Sequence, residues 1–199
     1  MFNDKYRLTK AVLSGRKTVT RRIVDASDKY SELRVWQSSI EMPKGLYGGN
    51  EDDEWLHLSP PYKVGEIVAV AQSYKDLGYS ETALDRDPND VTSVRGTLKQ
   101  SGGWNNKMFV RAEACKHQIR ITSIRPERLQ DITDEDCMRE GIQYIEEIEK
   151  YYFERNDRDE GFYFNTPREA FASLIDKISG RGTWNKNPFV WRIEFELVK

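Results

Sequence analysis

The 199 residues carry 31 Lys and Arg against 33 Asp and Glu, a formal net charge of −2, with 38% apolar and 32% charged side chains. That length supports one substantial core, and the near-neutral balance excludes a uniformly basic nucleic-acid binder, so any anion site must be a local patch. Two cysteines, Cys115 and Cys137, exclude a disulfide framework or zinc ribbon and suit a reducing compartment. The opening MFNDKYRLTK has no apolar h-region, and no stretch approaches the roughly 18 apolar residues of a membrane span. A cytoplasmic protein without a membrane partner is expected.

Leu8, Ala11 and Val12 recur at helical spacing and Gly15 follows as a stop, which predicts a short helix over 8–14. Five of the seven residues from Thr18 to Val24 are β-branched, so a strand should leave that turn. Residues 25–62 mix charge, Gly and Pro with Trp36, Tyr47 and Trp55 and keep neither period; they read as a long excursion carrying one short strand. "VGEIVAVAQSY", 64–74, reads as a buried strand, and 75–107, rich in Asp, Gly, Ser and Asn, as a second excursion. Ile119, Ile121 and Ile124 support extended structure ending at Pro126. Thr133 then opens a short acidic-fronted helix that runs to about Glu140 and closes at Gly141. A longer helix starts at Thr166 as cap, with Pro167 in its first position and Glu169 completing a capping box. Ala170, Phe171, Leu174, Ile175 and Ile178 form its predicted buried stripe, and Gly180 ends it. Phe189, Trp191, Ile193, Phe195 and Leu197 alternate with mostly charged neighbours as a half-buried last strand.

These elements predict an α+β fold. A mainly antiparallel sheet curls toward a small barrel, flanked by two or three helices and carrying long loop insertions at about 25–62 and 75–107 within a single domain spanning 1–199. No P-loop, GxGxxG, GxSxG or HExxH occurs, and two lone histidines, His57 and His117, do not supply a zinc cluster; no metal and no cofactor is expected. Cys137 reads as a small core residue.

What remains is "LSGRKTVTRR", 13–22, which concentrates four cations beside two threonines. In an extended strand Thr18, Thr20 and Arg22 share one face while Val19, Arg21 and Ile23 share the other; Lys17 sits at the turn. A hydroxyl, a guanidinium and an amine can converge there on an anion or carbonyl oxygen. Arg16 and Arg21 then tune Lys17 or meet solvent. The alternative is that the cations merely line a strand edge and keep it from aggregating.

Gly15, Lys17, Thr20 and Arg22 match the G-x-K-x-x-T-x-R signature of the ASCH (activating-signal-cointegrator homology) domain, a branch of the PUA-like β-barrel superfamily. "VGEIVAVAQSY", "RITSIRPERLQDITDEDCMREGI" and "GTWNKNPFVWRIEFELV" resemble, in order, its Gly-Asp/Glu strand, its strand with a short helix ending in Glu-Gly, and its closing strand. The resemblance implies a PUA-like barrel with a cleft at the Gly-x-Lys turn for a nucleobase, nucleoside or RNA. Some small ASCH proteins remove the acetyl group from N4-acetylcytidine with a Lys, a Thr and a Glu. On this chain those residues correspond to Lys17, Thr20 and, by its place in the short helix, Glu140. Arg16, Arg22 and the Gly15 turn would help hold the substrate, with Tyr74 and Trp184 as stacking aromatics. A binding module without chemistry, for RNA or for a protein, is the alternative.

Overall fold

The computed structural model describes residues 2–24, 29–37, 44–52, 54–87, 89–90, 92–156 and 163–198. It divides into two compact units, one comprising Asn3–Glu66 with Arg120–Glu196, the other Ile67–Ile119 with the chain ends Met1–Phe2 and Leu197–Lys199. The first is built mostly of antiparallel strands with few helices, the second of short strands and single helical turns, a mixed α+β protein.

The first unit opens with α1 (Leu8–Leu13) and β1 (Val19–Ile23). Gly15 turns the chain between them with φ +74°, a backbone conformation that costs glycine nothing. β2 (Glu32–Trp36), β3 (Gly45–Gly49) and β4 (Trp55–Leu58) form an antiparallel meander. The stretch read as an excursion with one short strand therefore holds three. β5 (Ile67–Ala69), β6 (Leu84–Arg86) and β7 (Val94–Thr97) belong to the other unit. The predicted strand over 64–74 shrinks to the three residues of β5, because the chain turns at Gly65 with φ +86° and leaves Ile67 exposed. The second excursion is organised rather than featureless. β6 and β7 pair as a hairpin, and Tyr74, Leu98 and Trp104 form a small buried cluster against Ala83, Val110 and Ala114.

β8 (Gln118–Arg128) continues past Pro126, where extended structure was expected to stop. Proline there gives up one ladder donor, and the chain still donates from the Leu129 N–H to the Pro188 carbonyl at 2.9 Å. α2 (Asp134–Arg139) is capped by the Thr133 hydroxyl and carries acids in its first turn, and Glu140 ends it. β9 (Gln143–Ile145) and β10 (Lys150–Tyr152) make a short hairpin. α3 (Pro167–Ser179) has the predicted capping box of Thr166 and Glu169 and buries Ala170, Phe171, Leu174 and Ile175. Ile178 is exposed instead, one turn from the helix end where the buried stripe runs out. α4 (Thr183–Lys186) leads into β11 (Phe189–Leu197).

In the first unit β1, β11 and β8 pair in that order, with β1 at an edge. β1 runs antiparallel to β11 in the register Thr20↔Ile193, Arg21↔Arg192 and Arg22↔Trp191. β11 was expected to be half-buried, but from Phe189 to Ile193 both of its faces are covered, Val190 and Arg192 included; only its end, with Leu197, is open. Covering Arg192 is what forces the ionic arrangement described next.

Candidate functional site

The Phe195 N–H donates to the Thr18 carbonyl and the Val24 N–H to the Phe189 carbonyl, at 2.9 and 3.0 Å. Even-numbered residues of β1 thus spend their backbone groups on β11, and the carbonyls of Val19, Arg21 and Ile23 face the free edge. Lys17 folds onto that edge. Its ammonium donates to the Val19 carbonyl at 2.8 Å, to the Glu140 carbonyl at 3.0 Å and to the Glu140 carboxylate. The side chain is almost entirely sequestered, at 2% exposure. Three acceptors match three hydrogens, so the ammonium form is fully satisfied where it sits.

Arg21, read from the sequence as a tuning or solvent-facing residue, is buried. Its guanidinium is shared among three carboxylates: Nε to Glu127 at 2.8 Å, Nη2 to Asp136 at 2.7 Å and Nη1 to Glu140 at 3.2 Å. Its partner across the register, Arg192, grips Asp136 through Nε at 2.6 Å and Nη2 at 2.8 Å and also binds Glu194. Arg139 closes the ring from α2, reaching the Thr18 hydroxyl at 3.1 Å, Asp136 at 3.3 Å and Glu194 at 3.0 Å. Four cations, Lys17, Arg21, Arg139 and Arg192, meet four carboxylates, Glu127, Asp136, Glu140 and Glu194, and the exposed Arg125 reaches Glu127 from outside at 3.2 Å. Such a balance is what lets charge be buried at all.

The electrostatics follow. Burial, the largest influence, lowers the Lys17 pKa; Glu140 pushes it up, and the charges of Arg22 and Arg21 push it down again. Arg22 and Arg21 project to opposite faces of β1, so an amine that feels both lies at the edge between them. For Asp136 burial works upward, but the hydrogen bonds and charges of Arg192 and Arg21 outweigh it and hold the carboxyl well below the usual range. Cys137, fully buried as expected, has its thiol pushed up to about 12 by burial. Such a thiol is inert.

Of the residues singled out in the sequence, Lys17 and Glu140 come together across 123 positions. Thr20 sits half-buried on β1, on the face it shares with Arg22, and takes no part in the ionic ring. Arg16 is drawn into a different cluster, donating to Glu154 at 2.9 Å beside Lys10 at 3.4 Å and Arg7 at 3.5 Å. Tyr74 lies in the other compact unit, buried edge-on against Tyr79, and presents no face for stacking. Trp184 packs edge-on to Phe171 at 6.2 Å with the Arg168 guanidinium 5.0 Å over its ring. Asp136, Glu127 and Arg192 are not singled out in the sequence, and Arg21 is named there without its carboxylate partners. The available signal was two arginines on strand faces shared with apolar residues, Arg21 with Val19 and Ile23 and Arg192 with Val190, which demand carboxylates opposite wherever those faces are covered.

Among the described residues, no group of three or more His, Cys, Asp or Glu is arranged to hold a metal ion, and no helix is long and apolar enough to cross a membrane. Comparison of the chain with protein-family models, with curated proteins and with solved structures gave no match, so its likeness to the ASCH signature rests on the quoted residues.

Proposed function

We propose that the chain is an ASCH-type domain that hydrolyses the N4 amide of an acylated cytidine, with Thr20 as nucleophile, Lys17 as its base and Glu140 holding Lys17. The observation that carries this reading is the contact between Lys17 and Glu140 at the edge of the strand bearing Thr20. The ASCH signature nominates Lys17, and the likeness of the short helix nominates Glu140, from distant parts of the chain.

A threonine hydroxyl needs a base to become a nucleophile, and a lysine serves only as the free amine. Burial of Lys17, reinforced by the charges of Arg22 and Arg21, moves it toward that form. In the first step Thr20 Oγ adds to the acyl carbonyl and its proton passes to Lys17 Nζ. The oxyanion, facing the positive field of Arg22, collapses; the C–N bond breaks and Lys17 returns the proton to the departing N4 amine. Water then attacks the threonine ester, again losing its proton to Lys17, and the proton returns to Thr20 Oγ as the carboxylic acid leaves.

The saturated hydrogen bonding of Lys17 favours a second reading. An ammonium with all three hydrogens engaged is a clamp between β1 and α2, and the domain then binds its ligand without chemistry. One experiment separates the two. Purified protein incubated with N4-acetylcytidine should release cytidine and acetate, and Thr20→Ala should not. Absence of product from folded wild-type protein leaves the binding reading.

A further inference from the structure

The β1–β11 register extends one step past the end of β1, where the Val24 N–H donates to the Phe189 carbonyl at 3.0 Å. Directly paired residues of antiparallel strands share a face, so Thr20, Arg22 and Val24 form a row with Ile193, Trp191 and Phe189. At the Val24 end of this row lies a pocket of about 340 Å³, lined by Val24, Tyr30, Ser31, Glu32, Arg128 and Phe189 among others. The volume is that of a small-molecule site.

Its lining is suited to a flat heterocycle. The Arg128 guanidinium stacks 3.9 Å over the Phe189 ring, its plane fixed by a 3.2 Å hydrogen bond from Nη1 to the Asn187 carbonyl. Arg128 is exposed, so the face turned away from Phe189 is available to a second planar group. Tyr30 lies on Gly48, where any side chain would collide with its ring, and forms one wall of the pocket. Ser31 and Glu32 set polar atoms at the rim, the first bound to the Gly49 carbonyl at 3.0 Å and the second to Arg34 at 2.7 Å.

We propose that this pocket seats a base flanking the acylated cytidine, so that the substrate is an oligoribonucleotide rather than a free nucleoside. The proposal rests on the amide-hydrolysis reading of Thr20. Four residue steps of extended strand lead from Thr20 to Val24, about 13 Å, a gap that a short oligonucleotide bridges and one nucleoside does not. Arg22 stands midway, half-buried on the edge strand; because Trp191 and Ile193 beside it are covered, the linking phosphates follow β1 itself, where such contacts set register and the stacked base adds affinity.

The test compares hydrolysis of free N4-acetylcytidine with that of a five-nucleotide RNA carrying one N4-acetylcytidine, for wild type, Tyr30→Ala, Arg128→Ala and Arg128→Lys. The oligonucleotide should have a kcat/KM at least about fivefold above the nucleoside, matching one stacked base. All three variants should lose that advantage while leaving nucleoside turnover unchanged, and Arg128→Lys should lose as much as Arg128→Ala because a lysine keeps the charge without the plane. Equal kcat/KM for both substrates, or variants that behave as wild type on the oligonucleotide, overturn the proposal and leave the hydrolase reading intact. If neither substrate turns over, that reading has failed instead. Anisotropy of the fluorescently labelled five-mer without the acetyl group then decides the pocket alone: weaker binding by Tyr30→Ala and Arg128→Lys supports a base site there, and unchanged binding removes it.

Discussion

The Lys17 ammonium bridges 123 positions of sequence to bind Glu140 twice, through its carboxylate and through its main-chain carbonyl at 3.0 Å. This joins the free edge of β1 to the end of α2, and it leaves no hydrogen on the amine unspent. Replacing Lys17 by Met removes a buried cation while its carboxylate partner stays behind. The expected cost is about 3–5 kcal/mol, read as a lower urea midpoint at pH 7.

The same variant has a pH signature. Folding lowers the Lys17 pKa from its ordinary value of 10.5, chiefly through burial. Between the folded and unfolded values the unfolded chain binds more protons, so wild-type stability gains as pH rises through that window and levels off above about 10.4. Lys17→Met lacks this gain. The stability gap between the two proteins should therefore widen from neutral pH toward pH 10, and urea titrations giving a constant or narrowing gap would contradict the burial-driven shift.

Arg21→Lys tests whether geometry or charge holds the ring. The guanidinium reaches Glu127, Asp136 and Glu140 simultaneously, in a planar fork that one ammonium cannot reproduce. The conservative change should cost on the order of 3 kcal/mol, a drop of roughly 5–10 °C in Tm for a chain of this size. A Tm equal to wild type would show that positive charge alone suffices.

Much of this was legible in the sequence, for local reasons. Gly15, Thr133, Thr166 with Glu169, and Pro167 are punctuation whose physics lies within a few residues, and the elements they bound are present as read. The Lys17–Glu140 pairing was legible only through the likeness to ASCH proteins, since nothing in the sequence sets the distance between positions 123 apart. The tuning of Lys17 expected of Arg21 is present, but its burial is not legible, because the carboxylates that pair with it lie on β8 and at α2. The β2–β4 meander was missed because "GLYGG" has the composition of a loop. Its glycines are there for close approach: the Trp55 ring lies 3.0 Å from where a Cβ of Gly49 would stand, and His57 Nε2 lies 2.6 Å from that of Gly45. Propensity cannot register rings that arrive from a neighbouring strand.

Thiol chemistry offers a check on the packing inside each unit, since Cys137 lies in one and Cys115 in the other. Cys137 is fully buried with its thiol raised to about 12, and Cys115 is buried with its sulfur 3.6 Å from the Arg111 carbonyl. At pH 8 the native protein should leave both unreactive toward an aromatic disulfide reagent, and two thiols per chain should appear once urea unfolds it. Prompt modification of one thiol in native protein would mean that its surroundings open readily.

Thr20 separates chemistry from architecture. It is half-buried, outside the ionic ring, and paired with Ile193 only through its backbone. Thr20→Ala should therefore change stability by less than about 1 kcal/mol while acetate release falls on the order of 10³-fold or more. Thr20→Ser keeps a hydroxyl at the same place and should retain measurable hydrolysis. Lys17→Met, by contrast, should lose both activity and stability, because one side chain serves the reaction and the strand edge together. Acetate release and urea midpoints measured on the same three preparations distinguish these patterns. An alanine variant that hydrolyses at the wild-type rate would remove Thr20 as nucleophile, and would leave Lys17 and Glu140 as the clamp that ties β1 to α2.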